Sequence, residues 1–176
     1  MASRDLSFLK GPRVLQGFNA FVDGRGYAGK VSEFERPKLA VKTEEFRAGG
    51  MDMPVQLDMG MEAMEAAMTL TDYDAEVTKY FGRGHNNPVP VVVRGSLSLG
   101  NGAAVAVKIT MEGMWKEIDA GTWKAGEALS MKTTVALSYY KEEVNGKVIT
   151  EIDAANMVRI VDGVDMLAAT RANIGL

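Results

Sequence analysis

The chain has 176 residues, 47% of them hydrophobic and 24% charged, and its formal net charge is −3. This length and composition are typical of one globular domain with its own core, and they exclude a chain that is disordered throughout. The mild acidity excludes a basic nucleic-acid clamp, and the lack of cysteine excludes disulfides, thiolate metal sites and cysteine nucleophiles.

The apolar segments exclude two further classes of protein. No apolar run approaches the ~20 residues that a membrane-spanning helix needs. Residues 1–17 lack the apolar stretch of a signal peptide, so we expect a protein that is made in the cytoplasm and is not exported by that route.

The first part of the chain predicts an arm followed by extended segments. Residues 1–17 have poor periodicity and predict an arm that needs a partner surface, so the domain proper covers 18–176. Asp23-Gly24 is a hairpin-type turn signal. Extended segments are expected at Phe18–Val22, Tyr27–Phe34 and Lys38–Phe46.

The middle of the chain is rich in methionine and glycine. Arg47 to Met61 predicts a long loop, with a short hairpin at Val55–Met59 as an option. Met64–Leu70 is assigned as a strand, although Met61–Met68 also has a high helix propensity.

The helix from Asp72 to Phe81 is the clearest one in the sequence. Acidic residues occupy its first turn, Thr71 or Asp72 can cap it, and Gly82 follows its end. Its apolar face consists of Tyr73, Val77, Tyr80 and Phe81.

The hydrophobic period changes to two after residue 90, which predicts strands. Asn145-Gly146 is the strongest hairpin signal, because a type I′ turn needs positive φ at both central residues, and Asp162-Gly163 is a further turn signal. Asp165 is expected to cap a last helix that Gly175 ends. The predicted elements are strands at 91–99, 103–115, Met131–Val144, Lys147–Asp153 and Met157–Val161, and a helix at Met166–Asn173.

These elements predict a mainly β fold with about eight strands. We expect a two-sheet β-sandwich or barrel-like subunit with a flanking helix. Long alternating strands in a chain of this size leave open sheet edges, and pairing with a neighbouring subunit is one way to satisfy them.

Several candidate sites for chemistry are weak. Gly24 to Gly29 matches a dinucleotide-binding glycine pattern, but the helix that would hold the phosphates does not follow it. His85, the only histidine, is best explained as a solvated loop residue. Carboxylates at Asp52, Asp58, Glu62, Glu65, Glu117 and Asp119 offer acid–base chemistry, but nothing brings two of them to one cleft.

Half of the methionines lie between residues 51 and 68, and Trp123 lies in a turn-rich loop. Thioethers bind Cu(I), but His or Cys support is missing, so core packing or packing against a second subunit is the better interpretation. A large ring in a loop favours burial of Trp123 against the body or a neighbour. We therefore predict no catalytic residue, metal or cofactor.

Many segments, in order along the chain, resemble the tail tube protein of contractile-tailed bacteriophages and R-type bacteriocins (pyocins). The resemblance covers roughly residue 18 to the C-terminus, and the match at 37–66 and 123–127 favours the bacteriocin. The matching segments are Pro37–Met51, Leu57–Ala66, Lys116–Asp119, Trp123–Glu127, Ser138–Tyr140, Glu151–Asp153, Val161–Asp165 and Asn173–Leu176.

The resemblance implies both an architecture and a function. Subunits of such proteins form hexameric rings whose strands close one inner β-barrel, and the rings stack into a hollow tube inside a contractile sheath. The implied partners are other copies of the chain, the sheath protein, the baseplate and tail terminator proteins, and a tape-measure protein in the lumen. The lumen passes DNA in a phage, and the particle is a virion tail or a bacteriocin assembled in the bacterial cytoplasm.

We expect inter-ring contacts from the arm 1–17, the loop Arg47 to Met61 and the tail Asn173 to Leu176. The helix Asp72 to Phe81 is expected on the outer side, and one face of the strands 91–99 and 103–115 on the lumen wall. Two alternatives stay open: a ring protein of the type VI secretion kind, and a monomeric β-barrel that binds a small ligand. The candidate contact residues are Arg47, Gly49, Gly50, Met51, Met53, Met59, Met61, Asn173, Ile174 and Leu176.

Overall fold

The structure is a computed structural model that describes residues 12–83, 87–98 and 104–176. Strands dominate it, which confirms the prediction of a mainly β chain. The strands are β1 (Val14–Val22), β2 (Arg25–Gly26), β3 (Val31–Glu35), β4 (Val41–Phe46), β5 (Val55–Met61), β6 (Met64–Leu70), β7 (Val91–Ser98), β8 (Ala104–Asp119), β9 (Met131–Val144), β10 (Lys147–Asp153), β11 (Val158–Val161) and β12 (Val164–Asp165). The helices are α1 (Ala75–Thr78) and α2 (Ala168–Ile174).

The strands form two antiparallel sheets, a ten-stranded one and the two-stranded β4–β5 hairpin. In the large sheet the order is β12-β11-β10-β9-β8-β7-β1-β2. The sheet branches at the long strand β9, whose residues 131–137 pair with β6 and whose residues 139–144 pair with β10. Through this branch, β6 and its other neighbour β3 pack against β7 and β8 around one core.

The core is held together by the two longest strands. The fully buried side chains include Trp115 from β8, Met131 and Tyr140 from β9, and Leu70 from β6. Removing a large apolar side chain from water contributes roughly 1.5–3 kcal/mol. Because β8 and β9 supply side chains to both layers of the fold, they join the layers into one unit.

The ladder between β8 and β9 shifts register twice, between Glu112 and Gly113 and between Trp115 and Glu117. At the first shift the strands approach unusually closely: a Cβ on Gly113 would lie 2.1 Å from the backbone oxygen of Ala136. Bulges of this kind bend a strand and raise its twist. Only glycine permits this approach.

Three two-residue turns confirm the hairpin signals of the sequence. Asp23-Gly24, Asn145-Gly146 and Asp162-Gly163 all have positive φ at both residues, as a type I′ turn requires. Asn145 also ties its turn to β8, because its side-chain oxygen accepts a hydrogen bond from the backbone N–H of Ala106 at 2.9 Å.

The predicted helix from Asp72 to Phe81 is wrong in its bounds. Its helical part is only α1, and its N-cap is Asp74, whose carboxylate accepts the N–H of Glu76 at 2.8 Å. The helix stops early because Phe81 bridges to Trp115 of β8, and the backbone of Gly82 donates to the oxygen of Trp115 at 3.0 Å.

The last helix also starts later than predicted. Its N-cap is Leu167, which makes no side-chain capping bond, so Asp165 is not the cap. Asp165 instead accepts the N–H of Leu167 and forms an ion pair with Arg171 at 2.5 Å. The end at Gly175, with φ of 81°, is confirmed.

The remaining differences concern strand lengths. The strand assignment at Met64–Leu70 is confirmed. The optional short hairpin at Val55–Met59 is wrong, because Val55–Met61 is a single strand that pairs with β4, so much of the predicted loop is strand. The first strand begins at Val14 rather than at Phe18, and β8 extends to Asp119. Among the described residues the strands number twelve rather than about eight.

Candidate assembly surfaces

The β4–β5 hairpin is the least buried element of the sheet structure. Every residue of β4 is exposed, and in β5 only Met61 is partly buried. Met61 packs against the core, and the backbone N–H of Glu62 donates to the oxygen of Ala40 at 2.9 Å. The base of the hairpin is therefore attached to the body, whereas the rest of it extends into solvent.

The two faces of this hairpin differ in polarity. On one face Gln56 donates to Glu45 at 3.1 Å, and Asp58 forms an ion pair with Arg159 of β11 at 2.6 Å. The polar face thus points toward the chain's own body. The opposite face, called here the apolar hairpin face, is formed by Phe46, Val55, Leu57 and Met59, which are 50%, 39%, 45% and 53% exposed.

The Asp58–Arg159 ion pair attaches the hairpin to the large sheet. The hydrogen bond from the Arg159 guanidinium, followed by that from the backbone of Gly60, lowers the pKa of Asp58 below its usual 3.8. The carboxylate therefore stays charged, and it keeps this contact at neutral pH.

The tip of the hairpin contains most of the predicted contact residues. Arg47 donates to the backbone oxygen of Met51 at 3.2 Å, and the N–H of Met51 donates to Ala48 at 3.2 Å. Gly50 supplies the positive φ that this turn needs. Met53 is 71% exposed, so the tip presents an apolar side chain to solvent. Gly49 lies in the same turn.

An open apolar groove lies at the β1 end of the strand order of the large sheet. In the described residues, β1 pairs with β7 along one edge, and on its other edge β2 covers only Phe21 and Val22. A groove of about 450 Å³ lies between β1 and β3. This apolar groove is lined by Leu15, Phe18, Phe34, Val93, Gly95, Leu97, Val107 and Ile109, with Glu33, Glu35 and Arg36 also lining it.

The large sheet also has a polar face, on the side away from the core. Lys108 of β8 forms an ion pair with Glu143 of β9 at 2.8 Å, and Lys141 lies 3.7 Å from Glu151 of β10. Tyr139 donates to Glu151 at 2.8 Å, and burial followed by this contact raises the pKa of the phenol. This polar sheet face carries three cations and four carboxylates: Arg94, Lys108 and Lys141 against Glu112, Glu143, Glu151 and Asp153.

An exposed aromatic patch lies beside α1. Trp123 is 74% exposed and meets the ring of Tyr73 edge-on, with 6.4 Å between centroids. Phe81 is 59% exposed nearby and lines a shallow depression with Tyr73. The expected burial of Trp123 against the chain's own body is therefore wrong, whereas burial against a neighbour stays a prediction.

The C-terminal contact residues lie on and beyond α2. Ile174 and Leu176 are 58% and 76% exposed, and Asn173 is exposed as well. Arg171 fixes the helix to the body by donating to the backbone oxygen of Met157 at 2.7 Å. The structure thus brings the hairpin and α2 to the same end of the strand order, on either side of a depression that both elements line.

The carboxylates considered as candidates for acid–base chemistry occupy ordinary surface positions. Glu65 and Glu117 line one shallow groove, where Glu65 is paired with Lys116, and Lys132 is paired with Glu35 at 2.6 Å. His85 lies outside the described residues. Within the described ranges, no group of three or more metal-ligating side chains is present, and no helix is long and apolar enough to cross a membrane.

Sequence reasoning missed the apolar groove and the polarity of the hairpin faces. The groove combines residues from β1, β3, β7 and β8, which are up to about 90 residues apart, so no local pattern shows it. The one available signal was Leu15, an apolar residue just before the predicted first strand.

In the part of the chain that the structure describes, the core is complete but a strand edge and an apolar ribbon are uncovered, a combination typical of self-associating structural subunits. The family model of the phage tail tube protein FII matches residues 12–175. This chain therefore belongs to the phage tail tube protein FII family, which confirms the resemblance in the sequence.

Two relatives from phages share most of its length. The chain is 35% identical to the tail tube protein of Escherichia phage P2 over 169 residues, which cover 94% of this chain and 98% of that protein. It is 30% identical to the major tail tube protein of Serratia phage KSP20 over 154 residues, which cover 86% and 89%. The chain is accordingly a tail tube protein, a structural component of a phage-type tail.

Solved structures share its fold at low sequence identity. One is a chain of the sheath-tube complex of the extracellular contractile injection system PVC, with a TM-score of 0.60 and 7% identity, covering 81% of this chain and 99% of that one. Another is a chain of the tube terminating cap of the anti-feeding prophage, with a TM-score of 0.58 and 9% identity, covering 76% and 91%.

Proposed function

We propose that six copies of this chain form a ring and that the rings stack head to tail into the inner tube of a contractile particle. The observation that carries the proposal is that residues 12–83, 87–98 and 104–176 complete a core yet leave both a sheet edge and an apolar hairpin uncovered. The tail tube family and the fold likeness to a chain of a sheath-tube complex support it. The particle is assembled in the bacterial cytoplasm.

Ring closure follows from the open edge of β1. A head-to-tail contact repeated around an axis closes into a ring, and pairing between neighbours removes exposed strand edges. In the ring, β1, β7, β8 and β9 of every subunit contribute to one inner barrel.

The polar sheet face forms the wall of the lumen. Its cations are matched by carboxylates on neighbouring strands, so the wall presents no excess positive charge. Phosphates are held by Lys and Arg. A wall of this kind lets DNA pass without gripping it, and it also accommodates a tape-measure protein during assembly.

The outer surface carries α1 and the aromatic patch of Tyr73, Phe81 and Trp123. Exposed aromatic rings are enriched in protein interfaces because they bury a large area at a small entropic cost. We assign this patch to the sheath protein, and the ends of the tube to the baseplate and the terminator, the neighbours named for the structurally similar chains.

Ring stacking uses the hairpin tip, the C-terminal residues of α2 and the part of the predicted arm 1–17 that precedes β1. In the tip, Met51 and Met53 offer adaptable apolar contacts. Ile174 and Leu176 offer a second apolar contact, and Asn173 a polar one.

The experiment replaces Met51→Asp together with Met53→Asp. Met53 is exposed, and Met51 is partly buried only within the tip turn, so the fold of the body should persist, and tubes should fail to elongate in electron micrographs. A matched control, Thr122→Asp with Ala125→Asp, adds the same charges to an exposed loop and should leave tube length unchanged. Tubes of normal length from the methionine variant would refute the assignment of the tip to stacking.

A further inference from the structure

Among the described residues, nothing covers the apolar hairpin face. Its four side chains point away from the body, because the polar face of the same hairpin is tied to Arg159. A two-stranded ribbon is marginally stable in water unless a third strand or another layer covers its apolar side. A second copy of the chain can supply that cover.

The apolar groove has the complementary shape and chemistry. It is open between β1 and β3, and Leu15 at its mouth is 52% exposed. Apolar side chains from four strands line it, so an apolar ribbon laid over the groove would be buried against them.

The hairpin and the groove lie at opposite ends of the strand order. The hairpin is attached beside β11, the second strand from one end of the path, whereas β1 lies next to the other end. The hairpin follows β3, the other wall of the groove, after five residues, and its ion pair with Arg159 holds it beside β11. In a head-to-tail ring, however, these two ends of successive subunits face each other.

Charged residues border both surfaces. The face of β4 that carries Phe46 also carries Lys42 and Glu44, and the groove carries Glu33 and Glu35 on β3. Glu35 is already paired with Lys132. Glu33 lies in the field of Lys132 but forms no ion pair of its own among the described residues, so Lys42 of a neighbour is the cation that would meet it.

We infer that the apolar hairpin face of one subunit covers the apolar groove of the next subunit within the same ring. The inference rests on the proposed ring assembly and adds which surfaces form its lateral contact. The occupant of the groove is a second copy of this chain, and the segment that enters is β4–β5. The hairpin tip remains available for the adjacent ring.

Cross-linking tests this contact cleanly because the natural chain has no cysteine. The variant carrying Leu57→Cys and Leu97→Cys is assembled into tubes and treated with a short bis-maleimide. The expected result is a ladder of covalently joined chains in denaturing gels, in place of the single-chain band. The control variant carries Leu57→Cys and Val161→Cys, both at the hairpin end of the sheet, and should give no ladder.

The outcomes separate this inference from the proposed function. Tubes that form normally but give no ladder with Leu57→Cys and Leu97→Cys, or a ladder only in the control, overturn the lateral contact and leave the tube proposal intact. Failure of the unmodified chain to form rings overturns both. A single-chain cross-link between Phe8→Cys and Leu97→Cys would show that residues 1–11 of the same chain occupy the groove, which also overturns the contact.

A charge reversal provides a second test if the cysteine variants assemble poorly. Lys42→Glu and Glu33→Lys should each raise the protein concentration needed for ring formation by several-fold, and the double variant should restore it. Single variants that both assemble like the natural chain, or a double variant no better than either single one, would contradict the pairing.

Discussion

The β9–β10 and β4–β5 hairpins are both antiparallel, but the single chain buries the first and leaves the second exposed. β9 pairs with β8 along its other edge, and Tyr140 and Ile152 beneath the hairpin are 1% and 6% exposed. β4 and β5 pair only with each other in the described residues, and Phe46 and Leu57 remain 50% and 45% exposed. The first hairpin is stabilised by its own fold, whereas the second has an apolar face that we propose a neighbouring copy covers.

This difference separates residues that maintain the subunit from residues that build the assembly. Substitutions in β9–β10 should reduce the free energy of unfolding of the isolated chain. Equivalent substitutions in β4–β5 should leave that free energy nearly unchanged and affect association instead. The following experiments test this separation.

The largest expected effect comes from removing an aromatic ring from each hairpin. Tyr140→Ala deletes a buried ring and should lower the free energy of unfolding by about 4 kcal/mol. Phe46→Ala deletes a half-exposed ring and should change it by less than about 0.5 kcal/mol. Denaturant titration of both monomeric variants measures the difference. Equal losses in the free energy of unfolding would contradict the distinction between the two hairpins.

A smaller effect is expected where β9 meets β8. Gly113→Ala forces a Cβ against the oxygen of Ala136, so the strands must separate locally, at a cost of roughly 2 kcal/mol. Gly17→Ala in β1 is the matched control, because a Cβ there meets no atom within 4 Å. Thermal unfolding of both variants should show a clear loss of stability for Gly113→Ala alone. Unchanged stability of Gly113→Ala would contradict the role of β8 in supporting β9.

The smallest effect concerns the ion pair that attaches the exposed hairpin. The pKa of Asp58 is lowered in the folded chain, so the stabilising contact is present above its usual pKa of 3.8 and is lost as the pH falls through the lowered value. Asp58→Asn should therefore speed amide exchange in β4 and β5 at neutral pH. Its rates and those of the natural chain should converge well below pH 3.8.

The matched control for this experiment is Glu44→Gln in the same hairpin, which should leave those exchange rates unchanged. The amides of β9 and β10 serve as the internal reference. A difference between Asp58→Asn and the natural chain that persists unchanged at low pH would show that the carboxylate charge is not what attaches the hairpin.

The sequence predicted well those parts of the fold that depend on neighbouring residues. The turns at Asn145-Gly146 and Asp162-Gly163 follow from local φ requirements, and the alternation in 91–98 and 104–111 follows from a sheet with one buried face. The strand at Met64–Leu70 was also predicted, against its high helix propensity, because burial in a sheet overrides propensity.

The sequence failed where distant contacts decide the local structure. The apolar pattern of Tyr73, Val77, Tyr80 and Phe81 predicts a full helix, but Phe81 joins β8 and ends it after one turn. The hairpin at 41–61 was assigned largely as a loop because glycine and methionine weaken its alternation. The apolar groove depends on strands brought together by the topology, which no single segment encodes.

Electron microscopy of the purified, concentrated protein tests the central claim most directly. The account predicts six-fold rings, or hollow stacks of one uniform diameter, that lengthen when preformed tubes are added as seeds. A protein that stays monomeric at every concentration and does not add to seeds would contradict it.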